Sequence, residues 1–253
     1  MRGEEREDAV TESFVALATS LALGADVVDL VTRLTADCAR LLDVGSAGLL
    51  LGDERGALHV MAASSQRARD LEVLQVQRRE GPCRDCWTSG RPVHVPDLRE
   101  EAGRWPVFAA AAAETGVVSV HALPMRLRTW TLGALGLFGT RPGPLEPADL
   151  RLGQALADVA SVALVQDDAK ADPATVTVHL QAALNARVLV EQAKGVVAHA
   201  AGTTVEDASA RLSAHAGATG ARLSDVAREV VHLRLPVGAL PPAPARGQER
   251  AGG

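Results

Sequence analysis

LQAALNARVLVEQAKGVVAH, residues 180–199, is the stretch on which the reading of this chain turns. Leu180, Leu184 and Val188 recur at i+4 and form one apolar stripe; Leu189, Val196 and Val197 form a second beside it. The pattern reaches back to Val176 and stops before Gly202, a fitting residue just past a helix end. It predicts one helix over 176–201, about 38 Å long for some 25 residues. Thr203-Thr204-Val205-Glu206 then reads as a capping box that opens a second helix to about Ala216. Gly217 to Gly220 reads as a turn, and Ser224 as the cap of a third helix ending before Pro236. An apolar face as wide as that of the first helix suggests a second packing surface as well as an internal one, and so a homodimer.

Working outward, residues 169–175 with Pro173 read as a linker, and the Pro/Gly/Ala-rich 236–253 as a disordered tail. Upstream lies a larger α+β unit over 10–168, preceded by a charged segment, 1–9, expected to be disordered. Phe14–Leu23 and Val27–Leu42 have helical spacing, broken at Gly24. Ser46–Leu51 and Ala57–Ala62 flank Gly52-Asp53-Glu54-Arg55-Gly56 as a strand hairpin. Leu71–Val76 is a short amphipathic piece, after which Gly81-Pro82 opens a loop holding Cys83 and Cys86. Pro92–Val95 is a short strand, and Trp105–Thr115 a helix with Pro106 in its first turn. Val117–Leu123 and Leu132–Phe138 are strands joined by the turn Arg126–Thr131, and Pro147–Gln166 is a closing amphipathic helix. This order predicts an antiparallel sheet with flanking helices, followed by an all-α three-helix bundle.

The 253 residues carry a net charge of −5, and 47% are apolar. That acidity excludes a chain that coats nucleic acid along its length, so any nucleic-acid surface must be local. Aromatic residues are 2%, with no Tyr, so the cores must be built from Ala, Val and Leu. No apolar run is long enough for a membrane span, and the acidic N-terminus lacks the apolar stretch of a signal peptide, so a cytoplasmic location and no membrane partner are expected. Only Lys170 and Lys194 are lysines; the remaining cations are arginines.

The run Glu191-Gln192-Ala193-Lys194-Gly195, with Arg187 before it and Ala208, Arg211-Leu212 and Leu223-Ser224-Asp225-Val226-Ala227 after it, resembles the ANTAR domain. The resemblance covers about residues 176–235. It implies a three-helix RNA-binding module of transcription antitermination regulators, with structured leader RNA as partner. Arg187, Lys194, Gly195, Arg211, Arg222 and Arg228 are the candidate RNA contacts. Over 181–235 six cations, those five and Arg234, face the five anions Glu191, Glu206, Asp207, Asp225 and Glu229. The family pattern often has a basic residue where Ser213 stands and an aromatic where Ser209 stands. Residues 10–167 resemble a GAF domain, best at Leu71–Asp97 and Ser119–Phe138. The pairing is similar to actinobacterial GAF–ANTAR transcription regulators, which implies signal transduction from a small-molecule ligand to RNA. The alternative is a dimerising protein-interaction regulator without RNA binding.

Cys83 and Cys86 form a C-x-x-C pair. Arg84 between them and Arg78 and Arg79 upstream would lower a thiol pKa, and Asp85 would oppose that. Redox sensing or ligand contact stands beside plain packing of small apolar groups. With Trp87 and Trp105 these cysteines are the candidate ligand or redox site, and Phe108 is grouped with them. No metal is expected: no second C-x-x-C or H-x-x-H completes a site with Cys38, His59, His94 or His121. The ligand itself is unnamed. P-loop, G-x-S-x-G and kinase signatures are absent, so the chain is expected not to be an enzyme and to have no catalytic residues.

Overall fold

The computed structural model describes residues 3–24, 26–165 and 173–243. The chain divides into two compact units, 1–184 and 185–253. In the first, a fully antiparallel five-stranded sheet has the order β2-β1-β5-β4-β3. Its strands are β1 (Ser46–Gly52), β2 (Leu58–Ala63), β3 (Val93–Val95), β4 (Ser119–Leu127) and β5 (Trp130–Gly139). Every residue of β1 is buried, as a central strand covered on both faces must be.

The helices are α1 (Gly3–Ala22), α2 (Val27–Leu41), α3 (Gln66–Arg78), α4 (Pro82–Ser89), α5 (Pro106–Glu114) and α6 (Pro147–Val165). Alternate residues of β5 serve opposite layers. Ala134 and Phe138 join Ala68 and Leu71 of α3, Cys83 and Cys86 of α4 and Phe108 of α5 in one buried cluster. On the other face Leu137 and Leu123 lie against Gly153 of α6, where an added Cβ would stand 2.9 Å from Leu123. Asp26 caps α2 by accepting from Val28 and Asp29. Glu80 caps α5 from a distance, its Oε1 accepting from the amides of Val107 and Phe108 at 2.8 Å.

Several expectations need correction. The segment 1–9 is not disordered where described, because α1 starts at Gly3. Arg6 anchors it: its Nε donates to the Leu41 carbonyl at 3.1 Å, and its guanidinium pairs with Asp149 on α6. Cys83 and Cys86 lie on a helix, not in a loop. Gly81, at φ 131°, serves as its N-cap, and Pro82 supplies a preset first turn. The tail is ordered further than expected, with a 3-10 turn at Val237–Ala239 and Leu240 buried; residues 244–253 lie outside the described part. So do linker residues 169–172, and the next helix begins at Pro173.

The remaining helices are α7 (Pro173–Ala201), α8 (Val205–Thr219) and α9 (Leu223–Val231). Thr204, not Thr203, caps α8 by accepting from Asp207 N at 3.1 Å. Gly217 lies inside α8, which ends on Gly220 with φ 66°. Arg222 stands at the N-cap of α9, and Ser224, expected as the cap, is buried within the helix. No helix among the described residues is long and apolar enough to cross a membrane.

Candidate functional sites

On the α3–α4 side of the sheet, four polar groups are closed into a circuit. Gln75 Nε2 donates to Glu72 Oε2 at 2.7 Å, Cys83 N donates to Gln75 Oε1 at 2.9 Å, and the Cys83 thiol reaches Glu72 Oε1 at 3.5 Å. Glu72, Gln75 and Cys83 are fully buried. Two glycines make the room. Gly48 of β1 and Gly136 of β5 are directly paired, and a Cβ on Gly136 would stand 2.6 Å from the Glu72 carboxyl and 2.7 Å from the Cys83 sulfur. Sequence reasoning missed Glu72 and Gln75. The available signal was a polar i,i+3 pair on the otherwise apolar side of an amphipathic helix.

Burial pushes the Glu72 carboxyl up to about 8, partly offset by the Cys83 thiol. Burial also raises Cys83 well above the ordinary thiol value, with the Glu72 charge adding to it, and lifts Cys86 to about 12. The thiols are therefore protonated and weak nucleophiles at neutral pH. The expected lowering by Arg78, Arg79 and Arg84 does not occur. The arginine that acts on Cys86 is Arg126 of β4, and Asp85 instead binds Arg104 at 2.7 Å. Arg104 in turn lies 4.3 Å over the ring of buried Trp105. Trp87 fills the space over Gly52 and donates to the Thr131 carbonyl at 3.1 Å. The four predicted sensing residues thus lie around one buried layer. A separate apolar groove of about 660 Å³, lined by Leu98, Pro106, Ala109, Ala113 and Val117 among others, includes none of them.

The C-terminal helices engage most of the predicted RNA-binding cations. Arg187 is 7% exposed and pairs with Glu191 at 2.8 Å; Lys194 binds the same carboxylate oxygen at 2.8 Å. Arg187 belongs to the buried stripe Ala183, Leu184, Val190, Ala193 and Val197 of α7, while Val188, expected on the apolar stripe, is 55% exposed. Arg211 donates to three carbonyls of the following segment: Pro241 at 2.8 Å, Leu240 at 3.1 Å and Val237 at 3.2 Å. Arg187 and Lys194 thus share one carboxylate oxygen, and Arg211 is committed to backbone carbonyls. Arg222 is exposed at the N-terminus of α9, and Arg228 is half-exposed and bound to Asp225 at 2.6 Å. Gly195 is exposed, and a Cβ there would meet nothing within 4 Å, so close packing between helices of this chain does not explain it.

Residues 24–165 match the model of the GAF domain, and residues 178–231 that of the ANTAR domain. Among solved structures, the chain is similar to the GAF domain of an Acinetobacter phosphoenolpyruvate-protein phosphotransferase, at 15% identity over 72% of this chain and 97% of that one, with a TM-score of 0.51. It is also similar to a GAF domain/HD domain protein from Geobacter sulfurreducens, at 17% identity, 64% and 98% coverage and a TM-score of 0.47. A third is the free methionine-R-sulfoxide reductase from Neisseria meningitidis, at 14% identity, 72% and 91% coverage and a TM-score of 0.47. At 15% identity, the first of these shows the fold alone. No curated protein matches the chain significantly.

Proposed function

Because the chain belongs to the GAF domain family and carries an ANTAR domain behind it, we propose that it is a signal-responsive, RNA-binding transcription antiterminator. The observation that carries this reading is the two regulatory domains in one chain, input before output. The GAF unit binds a small ligand through the layer formed by Cys83, Cys86, Trp87 and Trp105, to which Glu72 and Gln75 are added. Binding alters the packing of α6 and of α7, a helix whose residues belong to both units. The protein acts without catalytic turnover, as a homodimer in the cytoplasm. Exposed Val178 and Val188 on α7 support the dimer.

Within the ANTAR unit Lys194, Gly195, Arg222 and Arg228 are the RNA contacts. Arg187 and Arg211 are instead committed within the chain, to Glu191 and to the 237–241 segment. A gel shift with structured leader RNA tests the reading. Arg222→Ala/Arg228→Ala should weaken the shift while the protein still folds; an unchanged shift removes these two contacts.

One observation favours the second reading, a dimerising protein-interaction regulator. Glu191, Asp225 and backbone carbonyls already bind most of the cations. No shift with any structured RNA at low salt, together with saturable binding to a protein partner, would establish it. Redox sensing through Cys83 and Cys86 is the weaker form of the sensor proposal, because the thiols are buried and protonated.

A further inference from the structure

His94 and His121 are directly opposed across the β3–β4 ladder. Their ring centroids lie 5.4 Å apart with the planes tilted by 47°, and the two Nδ1 atoms are 3.3 Å apart. Two imidazole nitrogens bound at about 2.0–2.1 Å to one tetrahedral ion stand about 3.3–3.4 Å from each other, as the tetrahedral angle requires. That separation makes the two rings hydrogen-bond partners and also equals the bite of a metal chelate.

The surroundings fit that use. The His121 ring also bonds the backbone of Gly143. His121 is 2% exposed, so its ring is held in place, whereas His94 is exposed on the edge strand and can turn to share an ion. His121 also lines a recess of about 350 Å³ with Ser119, Asp43 and Arg141, which does not include His94. Asp43 is bound there to Arg141 at 2.6 Å.

We propose that His94 and His121 form a two-imidazole site for a divalent first-row cation of the zinc type, whose other ligands are water. Imidazole pairs suit zinc, copper and nickel over magnesium or calcium. No third His, Cys, Asp or Glu joins the pair among the described residues, so the ion exchanges with solvent instead of holding the fold together. Residue-by-residue reading passed over this site because each histidine stands alone in its own strand. Only the β3–β4 register brings them together.

The test titrates the full chain with Co²⁺ alone, read by its visible ligand-field absorption, and then displaces it with Zn²⁺. The wild type should gain one tetrahedral-type equivalent that Zn²⁺ removes. His94→Ala, at an exposed position, should lose that equivalent while melting normally without metal. His59→Ala, which removes an exposed histidine bound to Asp53, should retain it. Equal Co²⁺ binding by wild type and His94→Ala would overturn the proposal, and so would a wild type that shows no such band. Neither result bears on RNA binding, which has its own assay.

Discussion

Glu72 is the residue whose chemistry departs furthest from its sequence neighbourhood, and its effect on stability has a definite sign. Its carboxyl titrates at about 8 in the fold against an ordinary 4.5. Folding therefore takes up a proton between those values. Its contribution is full below about pH 4.5, is lost as pH rises through the window and is flat above about 8. His121 acts in the opposite sense. Its folded value near 4, against 6.5, makes stability rise with pH over that lower range. The wild-type curve mixes both slopes, so the informative quantity is the difference from Glu72→Gln, which keeps the shape and removes only the carboxyl. Denaturant unfolding should show the variant gaining on wild type from pH 4.5 to 8, by on the order of 5 kcal/mol at most. A difference that does not vary with pH would mean that Glu72 is ionised in the native state. The glycines beneath it give a second expectation. Gly136→Ala drives a methyl into the Glu72 carboxyl and the Cys83 sulfur, and overpacking of this kind should cost about 1–3 kcal/mol. Denaturant midpoints that match wild type would show that the niche yields.

At the scale of elements, α7 separates what a sequence can disclose from what it cannot. Its helical period and its end before Gly202 were legible, because periodicity and stop signals are local. Its buried stripe was legible only in part: Val188 faces outward, and a cation, Arg187, takes an inward position because Glu191 lies one turn away to neutralise it. The start of α1 was hidden for the opposite reason. Its anchor, Arg6 to Asp149, spans 143 residues, and no local signal reports such a partner. At α4 the signal was present and misread, since Gly81-Pro82 breaks the preceding helix and also begins the next. Gly195 offers the sharpest test at this scale. It is exposed in mid-helix with nothing nearby, so Gly195→Ala should stabilise the chain by about 0.5–1 kcal/mol through helix propensity alone. If RNA approaches the backbone there, the same variant should bind RNA more weakly although it melts higher. Stabilisation with unchanged affinity would take Gly195 out of the interface. Arg211→Ala should behave in reverse. Loss of three hydrogen bonds from a charged donor should cost about 1.5–3 kcal/mol, with RNA affinity little changed at temperatures where the variant stays folded.

At the scale of the whole molecule, the order of the two units and the antiparallel sheet were legible, because strand alternation and the ANTAR spacing repeat over many residues. The distribution of charge was legible only as a balance. Counting cations does not reveal that one carboxylate, Glu191, binds two of them, or that Arg211 is committed to backbone carbonyls. The balance still decides what kind of binding is expected. With a net charge of −5, the chain repels a polyanion at long range, so few phosphates can be engaged and non-specific affinity should be low. Each engaged phosphate contributes about −0.7 to −0.9 to the slope of log K against log salt. Removing Arg222 and Arg228 together should therefore flatten that slope by about one for each arginine lost, or about four across a dimer. The wild type should shift a structured leader RNA and fail to shift a long random duplex at the same salt. A slope that Arg222→Ala/Arg228→Ala leaves unchanged would place the phosphates elsewhere on the molecule. A slope near zero in the wild type would remove phosphate recognition altogether and leave the protein-interaction reading standing.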